Sequence, residues 1–163
     1  MPLLRTLLLT CTLIALSACG YQLQGVRAFP EVFSAVYLDV PDPSSDLAFQ
    51  LRRSLEAAGA SVVTDESHAT SVLRLPFERY GRRVKSVSAL NRPTEYEVYY
   101  EIEYFVETPS EVLVPRQRLA RARIFPYSER DILGKQQEED VLREAMAREI
   151  AGVITRRLAG LGD

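Results

Sequence analysis

The residues best suited to covalent chemistry lie near the start of the chain, in the stretch Leu16-Ser17-Ala18-Cys19-Gly20. Arg5 and the apolar run after it have the form of a secretory signal. That run is shorter than the ~20 apolar residues that a membrane-spanning helix needs. A signal for a secreted protein without lipid has the same leader, but a cysteine directly after two small residues favours lipidation. We therefore predict that residues 1–18 are a signal peptide that is removed and that Cys19 carries a lipid.

The remaining residue types offer little for catalysis or metal binding. Cys11 leaves with the leader and Cys19 is acylated, so no thiol remains for a disulfide, a metal cluster or a nucleophile. His68 is the single histidine and lies in a polar connection, where we expect it to be exposed. The formal net charge of −2 does not suggest nucleic acid as a partner. We expect a protein that is not an enzyme and needs no cofactor or metal.

A row of glutamates is the one carboxylate cluster to weigh. The alternation between Tyr96 and Val106 predicts a half-buried antiparallel strand with its glutamates on one face. Two such carboxylates resemble a hydrolytic pair, but a repeated row favours a solvated surface. The segment from Val112 to Tyr127 returns with four arginines, and we predict cross-strand ion pairs. Tyr99 and Phe105 share the acidic face, where they either meet a partner or cover neighbouring residues.

The elements that carry these residues follow from periodicity and capping signals. Ser44 and Ser45 can cap a helix that Gly59 ends. Pro76 predicts an edge or a bulge in the third strand. The expected strands are residues 35–40, 61–64, 72–87, 96–106 and 112–127, and the expected helices are residues 46–58 and those from Gln136 onward. The order predicts a single α+β domain with two helices packed on one face of a four- to five-stranded mixed, mainly antiparallel sheet. The first two strands should be parallel.

Three stretches resemble the LptE family of lipopolysaccharide-assembly lipoproteins. They are Cys19-Gly20-Tyr21-Gln22-Leu23-Gln24-Gly25, Asn91-Arg92-Pro93-Thr94-Glu95-Tyr96-Glu97-Val98, and Arg123-Ile124-Phe125-Pro126-Tyr127 continuing through Lys135 to Glu138-Glu139. The resemblance implies residues 19–30 as a lipidated tether and residues 31–163 as an LptE-like domain. Gly20 after the cysteine resembles lipoproteins that are sorted to the outer membrane.

The resemblance also implies a partner and a ligand. Members of the family are anchored on the periplasmic side of the outer membrane, plug and help assemble the barrel of LptD, and bind lipopolysaccharide on its way to the cell surface. They perform no covalent chemistry. The alternative is a periplasmic lipoprotein that serves as an auxiliary binding module of another envelope transporter.

Two basic residues are implied as lipopolysaccharide contacts. Lys135 matches a family position of this kind, and we picture its ammonium on a turn. A second basic position of the family falls near Ala89, which cannot serve. Arg92 is the expected replacement, and Arg82, Arg83 and Lys85 are further candidates.

Overall fold

The computed structural model describes residues 29–127 and 132–162. The leader, Cys19 and nearly all of the 19–30 tether lie outside the described residues. The described part of the chain forms five strands and two long helices: β1 (Ala35–Asp39), α1 (Asp46–Ala58), β2 (Ser61–Val63), β3 (Ser71–Val87), β4 (Pro93–Glu107), β5 (Val112–Pro126) and α2 (Ile132–Ala159). In these two ranges, no helix combines the length and the apolar character that crossing a membrane requires.

The strands form one mixed sheet in the order β2-β1-β3-β4-β5. β1 runs parallel to β2 and to β3, whereas β3, β4 and β5 are antiparallel neighbours. Both helices and the alternate strand residues bury their apolar side chains in a single core. The predicted α+β architecture with two helices and a mainly antiparallel sheet is therefore confirmed.

Local chemistry explains where α1 begins and ends. The Ser45 hydroxyl accepts a hydrogen bond of 3.1 Å from the backbone N–H of Ala48, which satisfies one of the free donors of the first turn. Gly59 ends the helix with a φ of 105°, a conformation that only glycine adopts without strain. Between these caps, Leu47, Leu51 and Leu55 are fully buried against the sheet side. The helix thus follows the pattern that the sequence predicts.

Pro76 marks the point where β3 changes from an inner to an edge strand. β1 pairs with β3 only as far as Arg74, and the register between β3 and β4 shifts between Arg74 and Phe77. A proline is tolerated there because its missing N–H would have no partner strand on that side. Beyond this point β3 continues to Val87 as one edge of a long three-stranded ribbon with β4 and β5.

The sheet has a buried face and an exposed face at β4. Val98, Ile102, Tyr104 and Val106 are fully buried toward the helices. We call the opposite side the open face; it carries Glu97, Tyr99, Glu101, Glu103 and Phe105, with the side chains of β3 and β5 that flank them.

The predicted pairing between the glutamates of β4 and the arginines of β5 is right for one glutamate. Glu103 meets Arg116 and Arg118 at 3.5 and 2.9 Å. Arg121 and Arg123 lie opposite Tyr100 and Val98, on the helix side, and both contact Glu149 of α2 instead. The register between β4 and β5 determines on which face of the sheet each arginine lies, and this register could not be predicted from the sequence.

Arg74 joins four separate segments of the open face. Its guanidinium donates to Asp39 at 2.7 Å, to Glu66 at 2.6 Å and to Glu107 at 2.6 Å. These carboxylates raise the pKa of Arg74 above its usual range, the bond to Glu107 contributing most. With the arginine side chain 28% exposed, solvent screens the pairs only in part. Arg74 therefore ties β1, β3, β4 and the turn before β3 together.

Replacing Arg74 should destabilise the fold more than replacing a singly paired arginine on the same strand. Arg74→Met leaves three carboxylates facing each other without a cation, and we expect a loss of about 2 kcal/mol after allowance for exposure. Arg79→Met is the matched control, because Arg79 has one carboxylate partner at 3.2 Å and is 55% exposed. Thermal unfolding of the full chain in mild detergent measures both. Equal losses would show that the Arg74 cluster has no special role.

Glu97 departs from the expected solvated surface. It is 6% exposed, because Arg83 and Lys85 of β3 both reach its carboxylate. A register shift between Val84 and Ser86 accompanies this double contact. The hydrogen bonds from Arg83 and then from Lys85 hold the pKa of Glu97 below its ordinary value of 4.5.

This lowered pKa predicts the direction of an acid effect. A carboxylate that titrates at lower pH in the folded state contributes stability above its ordinary pKa and loses it as the pH falls. Glu97→Gln should therefore flatten the loss of stability between about pH 5 and about pH 3. Glu111→Gln, in the exposed turn before β5, is the control and should keep the slope of the unchanged protein. Melting temperatures measured over that range check the effect, and a slope unchanged by Glu97→Gln would contradict it.

Candidate functional site

Lys135 lies in the first turns of α2, so its expected position on a turn is wrong. The helix begins at Ile132 rather than near Gln136. The Lys135 ammonium donates to the Glu138 carboxylate at 2.7 Å, and its side chain is 19% exposed. A ligand phosphate would therefore have to compete with Glu138 for this cation.

The N-terminal part of α2 is bonded to β3 one turn after Lys135. The Tyr80 hydroxyl of β3 donates to Glu139 at 3.0 Å, and Arg82 donates to the same carboxylate at 2.9 Å. Burial, followed by the bond to Glu139, raises the pKa of Tyr80 above its usual range, so the phenol remains a donor. These bonds fasten the N-terminal part of α2 over the free edge of β3 and place Lys135 one turn farther out.

Arg92 lies in the connection between β3 and β4 and is exposed. The Ser88 N–H donates to the Arg92 carbonyl at 2.8 Å, and the Asn91 N–H donates to the Ser88 carbonyl at 2.9 Å. Asn91 has a φ of 58°, in the left-handed region that asparagine tolerates better than most residues. The turn is thus well defined, and it presents Arg92 at the far end of the ribbon.

The two predicted contacts lie toward the same end of the molecule. The Tyr127 N–H, just after β5, donates to the Thr94 carbonyl of β4 at 2.8 Å, and α2 follows β5 in the chain. Arg92 stands two residues before Thr94 at that end of the sheet. Lys135 lies one turn before Glu139, which contacts Tyr80 and Arg82 of β3, the strand that leads to the turn with Arg92.

The other basic candidates have intramolecular partners. Arg82 contacts Glu139 and also lies 5.0 Å from the centre of the Tyr96 ring. Arg83 and Lys85 share Glu97. Their charges are therefore largely compensated within the fold, as the charge of Lys135 is by Glu138.

Apolar side chains at the end of the ribbon were missed by sequence reasoning. We call residues 84–92 the hairpin tip. Val84 is 48% exposed, Val87 54% and Leu90 80%. Exposed apolar and basic side chains together suit an amphiphilic anion, because one part of the surface meets an apolar chain and the other meets its charge. The sequence feature that could have revealed this surface is Leu90, an apolar residue inside a turn of otherwise small and polar residues.

The two aromatic residues of the open face are engaged within the sheet. Tyr99 lies over Gly81, where an added Cβ would come within 2.6 Å of the phenol oxygen. Arg79 and Arg83 flank the same ring at 5.3 and 5.5 Å. Phe105 lies under Arg116 at 5.6 Å. Of the two interpretations left open, the contacts favour cover for neighbouring residues.

The described residues show no arrangement suited to nucleophilic or metal chemistry. His68 is exposed and lies 3.7 Å from Asp65. The glutamates of the open face are engaged by arginines, as described above. No group of three side chains placed to hold a metal ion occurs in residues 29–127 and 132–162.

Comparison with known proteins gives a consistent result over nearly the whole chain. The family profile described as "LptE: Lipopolysaccharide-assembly" matches residues 33–158. The LPS-assembly lipoprotein LptE of Pectobacterium atrosepticum is 25% identical over 156 residues, covering 95% of this chain and 84% of that protein. The protein of the same name from Photorhabdus laumondii is 24% identical over 154 residues, covering 94% and 84%.

Solved structures share the fold. The solution structure of lipoprotein B from Nitrosomonas europaea superposes with a TM-score of 0.71 at 24% identity, covering 86% of this chain and 90% of that one. The crystal structure of a minor lipoprotein from Acinetobacter baumannii gives a TM-score of 0.66 at 23% identity, covering 80% and 94%. With a family match that spans more than half of its length, the chain belongs to the LptE family of lipopolysaccharide-assembly proteins.

Proposed function

We propose that this protein is an outer-membrane lipoprotein that plugs and helps assemble an LptD-type barrel and binds lipopolysaccharide during its delivery to the cell surface. Lipid on Cys19 anchors it on the periplasmic side, after residues 1–18 are removed. Residues 19–30 form the tether, and residues 31–163 form the domain that enters the barrel. Family membership and the names of its relatives support the role in lipopolysaccharide assembly.

The hairpin tip is the observation that carries the proposed binding. Lipopolysaccharide presents phosphates beside acyl chains, and the tip presents Arg92 beside exposed Val87 and Leu90. Lys135 adds a second cation toward the same end. Charge-assisted hydrogen bonds to phosphate are about twice as strong as neutral ones, so two cations are enough to orient such a ligand. The role needs no covalent step by the protein.

Competition between Glu138 and a bound phosphate makes the role of Lys135 testable in both directions. Lys135→Gln should weaken lipopolysaccharide binding about tenfold, since one charge-assisted contact is worth about 1.5 kcal/mol or more. Glu138→Gln frees the ammonium from its pair and should strengthen binding about twofold. Displacement of fluorescent lipopolysaccharide from the purified full chain measures both effects.

Arg92 is tested in the same assay with a control arginine. Arg92→Gln should also weaken binding, whereas Arg52→Gln, on an exposed position of α1, should leave it unchanged. If Lys135→Gln and Arg92→Gln bind as tightly as the Arg52 variant, the proposed site is wrong.

Lipidation has its own matched pair of variants, because the chain contains two cysteines. Cells labelled with radioactive palmitate should yield a labelled protein from the unchanged chain and from Cys11→Ser. Cys19→Ser should carry no label, because Cys11 leaves with the leader and no other cysteine remains. A labelled Cys19→Ser protein would contradict the anchor.

A further inference from the structure

The two helices enclose a basic groove that lies apart from the hairpin tip. Its volume is about 500 Å³, and its walls include Arg53 and Ser54 of α1 and Arg148, Gly152 and Arg156 of α2. Gln50, which is 6% exposed, belongs to the same wall. Because both walls are helices packed on the core, the groove is a preformed feature of the fold.

The charges of the groove are not balanced from within. Its lining contains three arginines and no carboxylate. Arg148 donates to Glu144, outside the lining, at 2.6 Å. Among the described residues, Arg53 and Arg156 have no acidic partner. Glu144 thus compensates Arg148 at the edge of the groove, and the charges of Arg53 and Arg156 are the ones that an anion in the groove would balance.

The helix dipole accounts for the position of only one of these arginines. Arg156 lies in the last turn of α2, where a cation is favoured by the helix dipole. Arg53 lies five residues before the end of α1, and Arg148 lies in the middle of α2, where that effect has faded. Convergence of the three on one groove therefore calls for another cause.

Gly152 lets Arg156 lie along the wall of the groove. A Cβ at this position would come within 3.1 Å of the Arg156 Nη1 atom, so another residue would require the guanidinium to shift by a few tenths of an ångström. Glycine costs up to about 1 kcal/mol relative to alanine inside a helix. The Ser54 hydroxyl adds a neutral hydrogen-bonding group beside the cations, whereas the Gln50 amide nitrogen donates to Glu144 at 3.4 Å.

We propose that this groove binds a phosphate monoester or diphosphate group. The planar guanidinium matches two phosphate oxygens at once, and a tetrahedral dianion can be contacted by arginines from several sides. A single carboxylate would satisfy one arginine and leave the others unbalanced. The volume exceeds that of a phosphate and leaves room for an attached sugar or glycerol. The proposal does not depend on lipopolysaccharide binding at the hairpin tip.

Titration calorimetry of the purified full chain in non-ionic detergent tests the site with inorganic pyrophosphate. The unchanged protein should bind, and Arg53→Gln combined with Arg156→Gln should lower the affinity at least tenfold. Arg52→Gln removes a neighbouring arginine of α1 that does not line the groove and is the control.

A second titration identifies the source of the phosphate. Mixed micelles containing phosphatidic acid are compared with micelles containing phosphatidylcholine. Binding of pyrophosphate and of phosphatidic acid shows that the phosphate group itself is recognised, and binding of phosphatidic acid alone shows a lipid headgroup site. If the double variant does not fold, the single variants Arg53→Gln and Arg156→Gln should each give a smaller loss. Binding of neither probe, or equal binding by the groove variants and Arg52→Gln, would overturn the proposal.

Discussion

The structure depends on β4 being paired on both sides over nearly its whole length. Its alternate residues are buried under the helices, and the residues between them carry carboxylates that arginines neutralise. Burial of one face of β4 requires that the charges on the other face be compensated within the sheet. Arg74 and Glu97 show the two ways this is done, by one cation among three carboxylates and by one carboxylate between two cations.

A second constraint is the difference in strand length. β1 and β2 have five and three residues, whereas β3, β4 and β5 have seventeen, fifteen and fifteen. The parallel part of the sheet supports the core, and the antiparallel ribbon extends past it. Exposed apolar and basic residues therefore collect at the hairpin tip, where a change in binding residues costs little stability. The residues that stabilise the core and the proposed binding residues therefore lie at different ends of the same strands.

The sequence predicted the elements well because their signals are local. Ser45 and Gly59 cap α1, and the strict alternation of β4 leaves no choice of buried face. The pairings between strands were harder to predict, because one inserted residue in a strand shifts every pairing beyond it. The register shift before Gln117 of β5 places Arg121 and Arg123 toward α2 rather than opposite the glutamates.

The candidate site shows the same limit. Lys135 was identified by resemblance, but the bonds that hold its part of α2 against the sheet join Glu139 to a distant strand. The basic groove forms between two helices, and no local sequence pattern predicts how these helices pack against each other. The central proposal is that the folded domain acts inside a barrel. Its most direct test is affinity purification of the tagged, full-length protein from detergent-solubilised outer membranes, with identification of the recovered partners. The account predicts a stable complex with an LptD-type barrel, and recovery of the protein free of any barrel would contradict it.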